Sequence, residues 1–248
     1  MRFITHADYI PRWGTSARTS LRSNSPGSLS NQPLDGCPPT GTHFKQKSKK
    51  VDSYFPVYRS LFERFVGKKN LVFVQIGVLN GGSLMMWRKF FGPDARIIGV
   101  DFSETAARMR DKGFEIYIGD QGEPGFWEQF SSKVGSVDVL LDDGGHTNKH
   151  QIVTVESALS HIRDGGMIVT EDTYTNYLKD WGNPHRFSFM NYAKHVSDKI
   201  QTRSHAMHGD MNRFGQTVYS ISHFESVAAF HANRNLCRKA QLFEVGKK

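Results

Sequence analysis

From Val51 onward the chain alternates between two apolar rhythms. Tyr54, Tyr58, Leu61, Phe62 and Phe65 recur at helical spacing and Gly67 supplies a stop, so the first element reads as a helix. Short apolar runs then predict strands over 71–76, 96–101, 115–118, 137–142 and 167–170, with helices over 83–91, 104–112, 126–130 and 148–163 between them. Phe189, Ala193, Val196 and Ile200 mark one further helix. The last two strands, over 216–223 and 226–232, are separated by only a couple of residues, which demands an antiparallel pairing. Strand–helix alternation buries both faces of a parallel sheet. The expected fold is therefore α/β: a Rossmann-like, doubly wound, mostly parallel seven-stranded sheet with a terminal antiparallel hairpin.

Composition divides the chain at about residue 50. The first 50 residues include stretches such as SNSPGSLSNQP that offer few core side chains, and they read as a disordered basic extension ahead of one domain over 51–248. The formal net charge is +8, but eight Lys and Arg against Asp8 and Asp35 place +6 of it in that extension. The body is nearly neutral and carries no stripe of basic residues interleaved with aromatics, so a nucleic-acid partner is not expected. Cys37 and Cys237 sit in no paired or metal-ligand spacing, which fits a reducing cytoplasm. No apolar run approaches the ~18 residues of a membrane span, and no membrane partner is expected.

Three strand ends carry candidate ligand-binding residues. The first strand runs into Gly77-Val78-Leu79-Asn80-Gly81-Gly82-Ser83, where glycines allow a tight turn and close approach of a ligand to the backbone, although the spacing is not GxGxxG. Asp101, ending the second strand, is placed to accept hydrogen bonds from ribose hydroxyls; its other reading is a helix cap, for which Ser103 is at least as well placed. Asp120 and Gln121 end the third strand, where a carboxylate and an amide could meet adenine or the sugar edge. Gly77, Asn80, Gly81, Ser83, Asp101, Asp120, Gln121 and Asp142 make up the candidate cofactor set.

The run Leu140-Leu141-Asp142-Asp143-Gly144-Gly145-His146 adds chemistry of another kind. Alternation along a strand points the two aspartates in different directions, one toward a cofactor and the other toward a second ligand. Glu171 and Asp172 end the neighbouring strand. Carboxylates converging there would repel unless a cation lies between them, and hard oxygen donors favour Mg2+ or a similar ion. His146 precedes a helix with Thr147 as its cap; the positive end of the helix dipole biases its imidazole toward the neutral form that suits a general base. Gly144 and Gly145 permit a sharp turn and leave space for substrate, and His150 reads as structural.

In order, IGVLNGGSL, the acid of GVDF, the GDQ turn, LDDGGH and the later ED pair resemble the metal-dependent sugar O-methyltransferases of macrolide biosynthesis, of the macrocin and mycinamicin type, and the related cephalosporin-hydroxylase-like bacterial proteins. The resemblance covers roughly residues 51–232. It implies a class I enzyme using S-adenosylmethionine (SAM), with Mg2+ or a similar divalent cation on Asp143, Glu171 and Asp172, and with Asp143 and His146 as catalytic residues, His146 as the base. Gln75 stands where the family has an acid before the cofactor loop, and Gly145 where it has a serine. The implied reaction is methyl transfer to a hydroxyl of a sugar or glycosylated natural product. A catechol-like acceptor, or a silent SAM-binding protein, are the alternatives. The expected partner is a saccharide or other small molecule, with homo-oligomer formation left open.

Overall fold

The structure, a computed structural model, describes residues 50–181, 185–201 and 212–238. The extension over 1–49, Cys37 included, lies outside the described residues. Seven strands form one sheet: β1 (Val72–Ile76), β2 (Arg96–Asp101), β3 (Glu115–Ile118), β4 (Val137–Asp142), β5 (Ile162–Thr170), β6 (Val218–Phe224) and β7 (Val227–Ala232). Their spatial order is β3-β2-β1-β4-β5-β7-β6. The first five pair in parallel, and β7 runs antiparallel to both β5 and β6. The two-residue turn between β6 and β7 leaves no room for a crossover, so the reversal follows from chain length alone.

Helices cover both faces, because every residue of β1 and β4 is buried and neither face can meet water. On one face lie α1 (Tyr54–Phe62) and α2 (Gly82–Phe91), whose Tyr58, Phe62, Trp87 and Phe91 rings pack with Phe73 of β1. On the other lie α3 (Pro124–Val134), α4 (Asn148–Ala158) and α5 (Phe189–Lys199), which contribute Trp127, Phe130, Ile152, Val155, Phe189 and Tyr192 to a second core. Two short helices, α6 (Arg213–Thr217) and α7 (Arg234–Arg238), flank the terminal hairpin.

Three elements differ from the expected pattern. Residues Glu104–Lys112 wind as 3-10 turns, with only Ala106 and Met109 buried to hold them against the sheet. The fourth crossover helix ends at Ala158, followed by a 3-10 turn over Leu159–His161, and β5 already begins at Ile162. Ile162 pairs with Val137, and a register irregularity follows before Met167 pairs with Val139; the polar Arg163-Asp164-Gly165 stretch within it hides this early start. Gln216 and Thr217, expected in a strand, close α6 instead.

The chain runs outward from β1 to β2 and β3, then returns across the sheet to β4 and β5. The carboxyl ends of β1 and β4 therefore diverge into loops that travel in opposite directions. A crevice opens at such a switch point, where ligands of open α/β sheets bind. No helix among the described residues is long and apolar enough to cross a membrane.

Candidate active site

A cleft of about 650 Å3 occupies that switch point. The loop after β1 lines it with Gly77 to Asn80, Gly82 and Ser83; β2 adds Asp101, Phe102 and Ser103; β3 adds Gly119, Asp120 and Gln121. Asp143 to His146, His150 and Asp172 complete it. A volume of this size suits a small-molecule ligand. Leu79, His146 and Asp172, three of its residues, hold left-handed backbone conformations with φ of 49°, 51° and 55°. Such conformations cost energy in a non-glycine residue and concentrate at ligand sites.

The glycine loop is held by its neighbours. Gly77 has φ of 84°, and a Cβ there would run into the carbonyl oxygen of Asp143, so loop and histidine turn touch backbone to backbone. Asp101 fixes the same loop: Oδ2 accepts from Val78 N at 2.8 Å and Leu79 N at 3.0 Å, while Oδ1 accepts from Ser103 N at 2.8 Å. Ser103 caps the 3-10 segment. The Gln75 side chain is buried beneath the loop. Its amide donates to Gly77 O at 2.6 Å and Ser83 Oγ at 2.7 Å, and its carbonyl accepts from Trp87 Nε1 at 2.8 Å. A carboxylate at this position could not donate to the Gly77 carbonyl, so the glutamine makes a neutral strut of its own.

Of the two aspartates after Leu141, Asp142 turns inward. It is buried and does not line the cleft; its Oδ1 accepts from Gln121 Nε2 at 2.8 Å and Gly144 N at 3.2 Å. Burial raises its carboxyl above the ordinary range, with the Gln121 amide pulling back. The Gln121 side chain is fully engaged, since it also donates to Thr154 Oγ1 and accepts from Gly145 N at 2.8 Å. Gln121 is thus a strut between β3 and the histidine turn. Space beside the two glycines of that turn is filled by protein: a Cβ on Gly144 would meet Gln121 Oε1, and one on Gly145 would meet the His150 ring. A serine at 145 could not stand over this histidine. Nor is His150 purely structural in place, for it lines the cleft with Nε2 at 3.4 Å from Asp120 Oδ1.

Asp143 points into the cleft, with His146 and Asp172 beside it; one candidate ligand atom from each lies within 4.8 Å of the others. His146 is held by its backbone, whose carbonyl accepts from Thr175 Oγ1 at 2.9 Å, and its Nε2 lies 3.4 Å from Asp172 Oδ2. Its Nδ1 is buried without a hydrogen-bond partner among the described residues. Thr147 caps α4 by accepting from His150 N. Trp181 stands with its ring centre 5.9 Å from that of His146, and Tyr174 and Tyr177 present exposed rings on the same loop.

Three further residues reach the acidic cluster from the amino-terminal side. Lys50 Nζ bridges Asp143 Oδ2 and Glu171 Oε2 at 2.7 Å each, Tyr58 Oη donates to Glu171 Oε1 at 2.5 Å, and Tyr54 Oη donates to Asp172 Oδ1 at 2.6 Å. Lys50, grouped with the extension by composition, thus belongs to the folded body. Burial opposes the Lys50 charge, but Glu171 and Asp143 outweigh it and its pKa rises. Burial raises the Glu171 carboxyl while Lys50 pulls it down. These tendencies conflict at one contact, and we read the pair as ionised, because a desolvated ammonium at 2.7 Å from two carboxylates needs their charge. Both tyrosine hydroxyls are raised by burial first and by the adjacent carboxylates second. The spacing Lys50-x3-Tyr54-x3-Tyr58 was the available signal, but the tyrosines also satisfy the helical core pattern.

The strand order and the cleft resemble those of class I SAM-dependent methyltransferase domains. A family profile described as a methyltransferase domain matches residues 74–173. The chain is similar to demethylmacrocin O-methyltransferase of Streptomyces fradiae, at 34% identity over 102 residues, covering 41% of this chain and 25% of that one. It is also similar to mycinamicin VI 2''-O-methyltransferase of Micromonospora griseorubida, at 29% identity over 164 residues, covering 62% and 40% respectively. The chain thus spans at most two fifths of the length of these relatives. A solved structure of the MycE methyltransferase of mycinamycin biosynthesis, in complex with Mg and SAH, superposes with a TM-score of 0.67 at 25% identity, over 73% of this chain and 49% of that one.

Proposed function

We propose that this chain transfers the methyl group of SAM to a hydroxyl of a sugar or glycosylated natural product, with His146 as the base and a divalent cation, Mg2+ or a similar ion, at the acidic cluster. One observation carries the reading: the glycine loop and Asp101 share a single cleft with Asp143, His146 and Asp172. A cofactor cradle and a hydroxyl-activating group are thereby continuous. The names of the similar proteins point the same way, being sugar O-methyltransferases of macrolide pathways, and the MycE complex holds Mg and SAH.

The residues present fit both groups. Gly77 and Gly81 hold left-handed conformations that keep the loop tight where no side chain would fit, and Gly77 and Asp101 line the cleft. Three of the roughly four lone-pair positions of the Asp101 carboxylate are used by backbone N–H groups, so it fixes the loop first and can accept one ribose hydroxyl besides. Asp143 and Asp172 present two hard carboxylates to the same cleft, which suits Mg2+, an ion commonly held by one or two carboxylates with water and substrate oxygens completing the shell. When bound, such an ion lowers the pKa of the acceptor hydroxyl and orients neighbouring oxygens. SAM supplies an electrophilic methyl group on a sulfonium.

His146 does the proton work. The imidazole lines the cleft with Nε2 3.4 Å from Asp172 Oδ2, and in its neutral form it takes the proton of the acceptor hydroxyl. The acceptor oxygen forms the new bond to the methyl carbon, the carbon–sulfur bond breaks, and its electron pair stays on sulfur. Asp172 holds the imidazolium that results. The exposed ring of Trp181 near His146, with the exposed Tyr174 and Tyr177 on the same loop, offers apolar faces to a saccharide. Calorimetric titration of SAM with and without Mg2+, followed by detection of S-adenosylhomocysteine across sugar and phenol acceptors, tests the proposal. Binding with turnover on sugars is expected; absence of SAM binding under both conditions defeats it.

A further inference from the structure

The acidic cluster holds two environments. Glu171 and Lys50 are dry, with side chains 1% and 4% exposed, and neither lines the cleft. Asp143, His146 and Asp172 do line it, with side chains 22%, 19% and 19% exposed. Both Glu171 oxygens are taken, one by the Lys50 ammonium and one by the Tyr58 hydroxyl, and the ammonium lies 5.6 Å from the Tyr58 ring centre. Lys50 also occupies Oδ2 of Asp143, which fixes how that carboxylate faces the cleft. Three carboxylates against one ammonium leave two negative charges, the complement of one divalent ion.

We infer that Lys50 is a built-in cation of the cluster and a positioning residue: it takes Glu171 out of the ligand set and confines a divalent ion to the cleft side, on Asp143 and Asp172. The inference rests on the divalent-cation reading above and departs from the ligand set that the family resemblance implies, in which Glu171 is a ligand. Its physical basis is burial: the Glu171 side chain is 1% exposed and lines no part of the cleft, each of its oxygens faces a donor, and turning one toward the cleft would strand a buried ammonium.

Titration of Mn2+ into the full chain, read by the electron paramagnetic resonance of the free ion, tests this alongside thermal melts in metal-free buffer. Lys50→Met leaves Glu171 buried without its cation and should lower the melting temperature by roughly 10 °C. The double variant Lys50→Met/Glu171→Gln removes both members of the pair and should recover most of that loss. Because it preserves the net charge of the cluster, a change in Mn2+ affinity in this variant reports a missing ligand and not a changed field. Its dissociation constant should stay within threefold of wild type, whereas Asp172→Asn should weaken binding at least tenfold. A tenfold or greater loss in the double variant makes Glu171 a ligand and overturns the inference alone. A tenfold gain in Lys50→Met shows ammonium and metal competing for one berth, and overturns it too. Failure of wild type to bind Mn2+ removes the divalent-cation reading and the inference with it.

Discussion

Replacing Gln121 with leucine tests how the histidine turn is held. The side chain is buried and makes three hydrogen bonds: to the buried Asp142 carboxylate, to Thr154 Oγ1, and from Gly145 N. Leucine keeps the volume and loses all three, leaving a carboxylate oxygen, a hydroxyl and an N–H short of partners. A hydrogen bond to a charged group is worth about 1.5–3 kcal/mol and each orphaned neutral group costs about 1–3 kcal/mol; allowing for relaxation, about 3–4 kcal/mol is expected at neutral pH. In a domain of this size that is a fall in Tm of roughly 6–15 °C. The loss also has a pH signature. Gln121 is the largest influence holding the Asp142 carboxyl down against burial. Without it the folded-state pKa of Asp142 rises further above the unfolded value, so the folded mutant binds a proton that the unfolded chain does not. Stability contributed this way is fully present below the unfolded pKa and is lost as pH rises through the folded one. The mutant should therefore be less impaired at pH 5 than at pH 8. Urea denaturation of both proteins across that range measures it. A loss below 1 kcal/mol, or one that is flat with pH, would refute the assignment of Gln121 as the strut.

Three other outcomes follow from the same geometry. Asp101→Ala removes the acceptor of two loop N–H groups and, on the proposed function, of a ribose hydroxyl, and should weaken SAM binding by roughly 10- to 100-fold, read by calorimetry, because a hydrogen bond to a charged acceptor contributes about 1.5–3 kcal/mol. His146→Ala should lower kcat by about 10²–10⁴-fold with little change in the SAM dissociation constant; unchanged kcat would remove it from the role of base. His231 is held neutral by burial first and by Arg64 second, with Ser222 Oγ on its Nε2 at 2.9 Å. Its folded pKa lies below the unfolded one, so its contribution is complete above pH ~6.5 and is lost as pH falls toward the depressed value. The melting temperature should drop across that window, and His231→Asn should flatten the drop.

Much of this protein is written in local sequence. The apolar rhythm from Val51 to Ala232 determines seven strands, and the short turn between the last two determines their reversal, because each depends only on periodicity and chain length. Asp143 and His146 could be named as cleft residues because a strand alternates its side chains and a turn follows it. Tertiary structure decided what could not be read one element at a time. Gln121 bridges β3 to the histidine turn, His150 fills the space beside Gly145, and Lys50, Tyr54 and Tyr58 arrive from a distant segment onto Asp143, Glu171 and Asp172. Those roles depend on which segments meet across the end of the sheet. A lysine in a basic, polar stretch carries the same local signal whether it lies in water or against two buried carboxylates; only long-range packing removes the water and makes the difference.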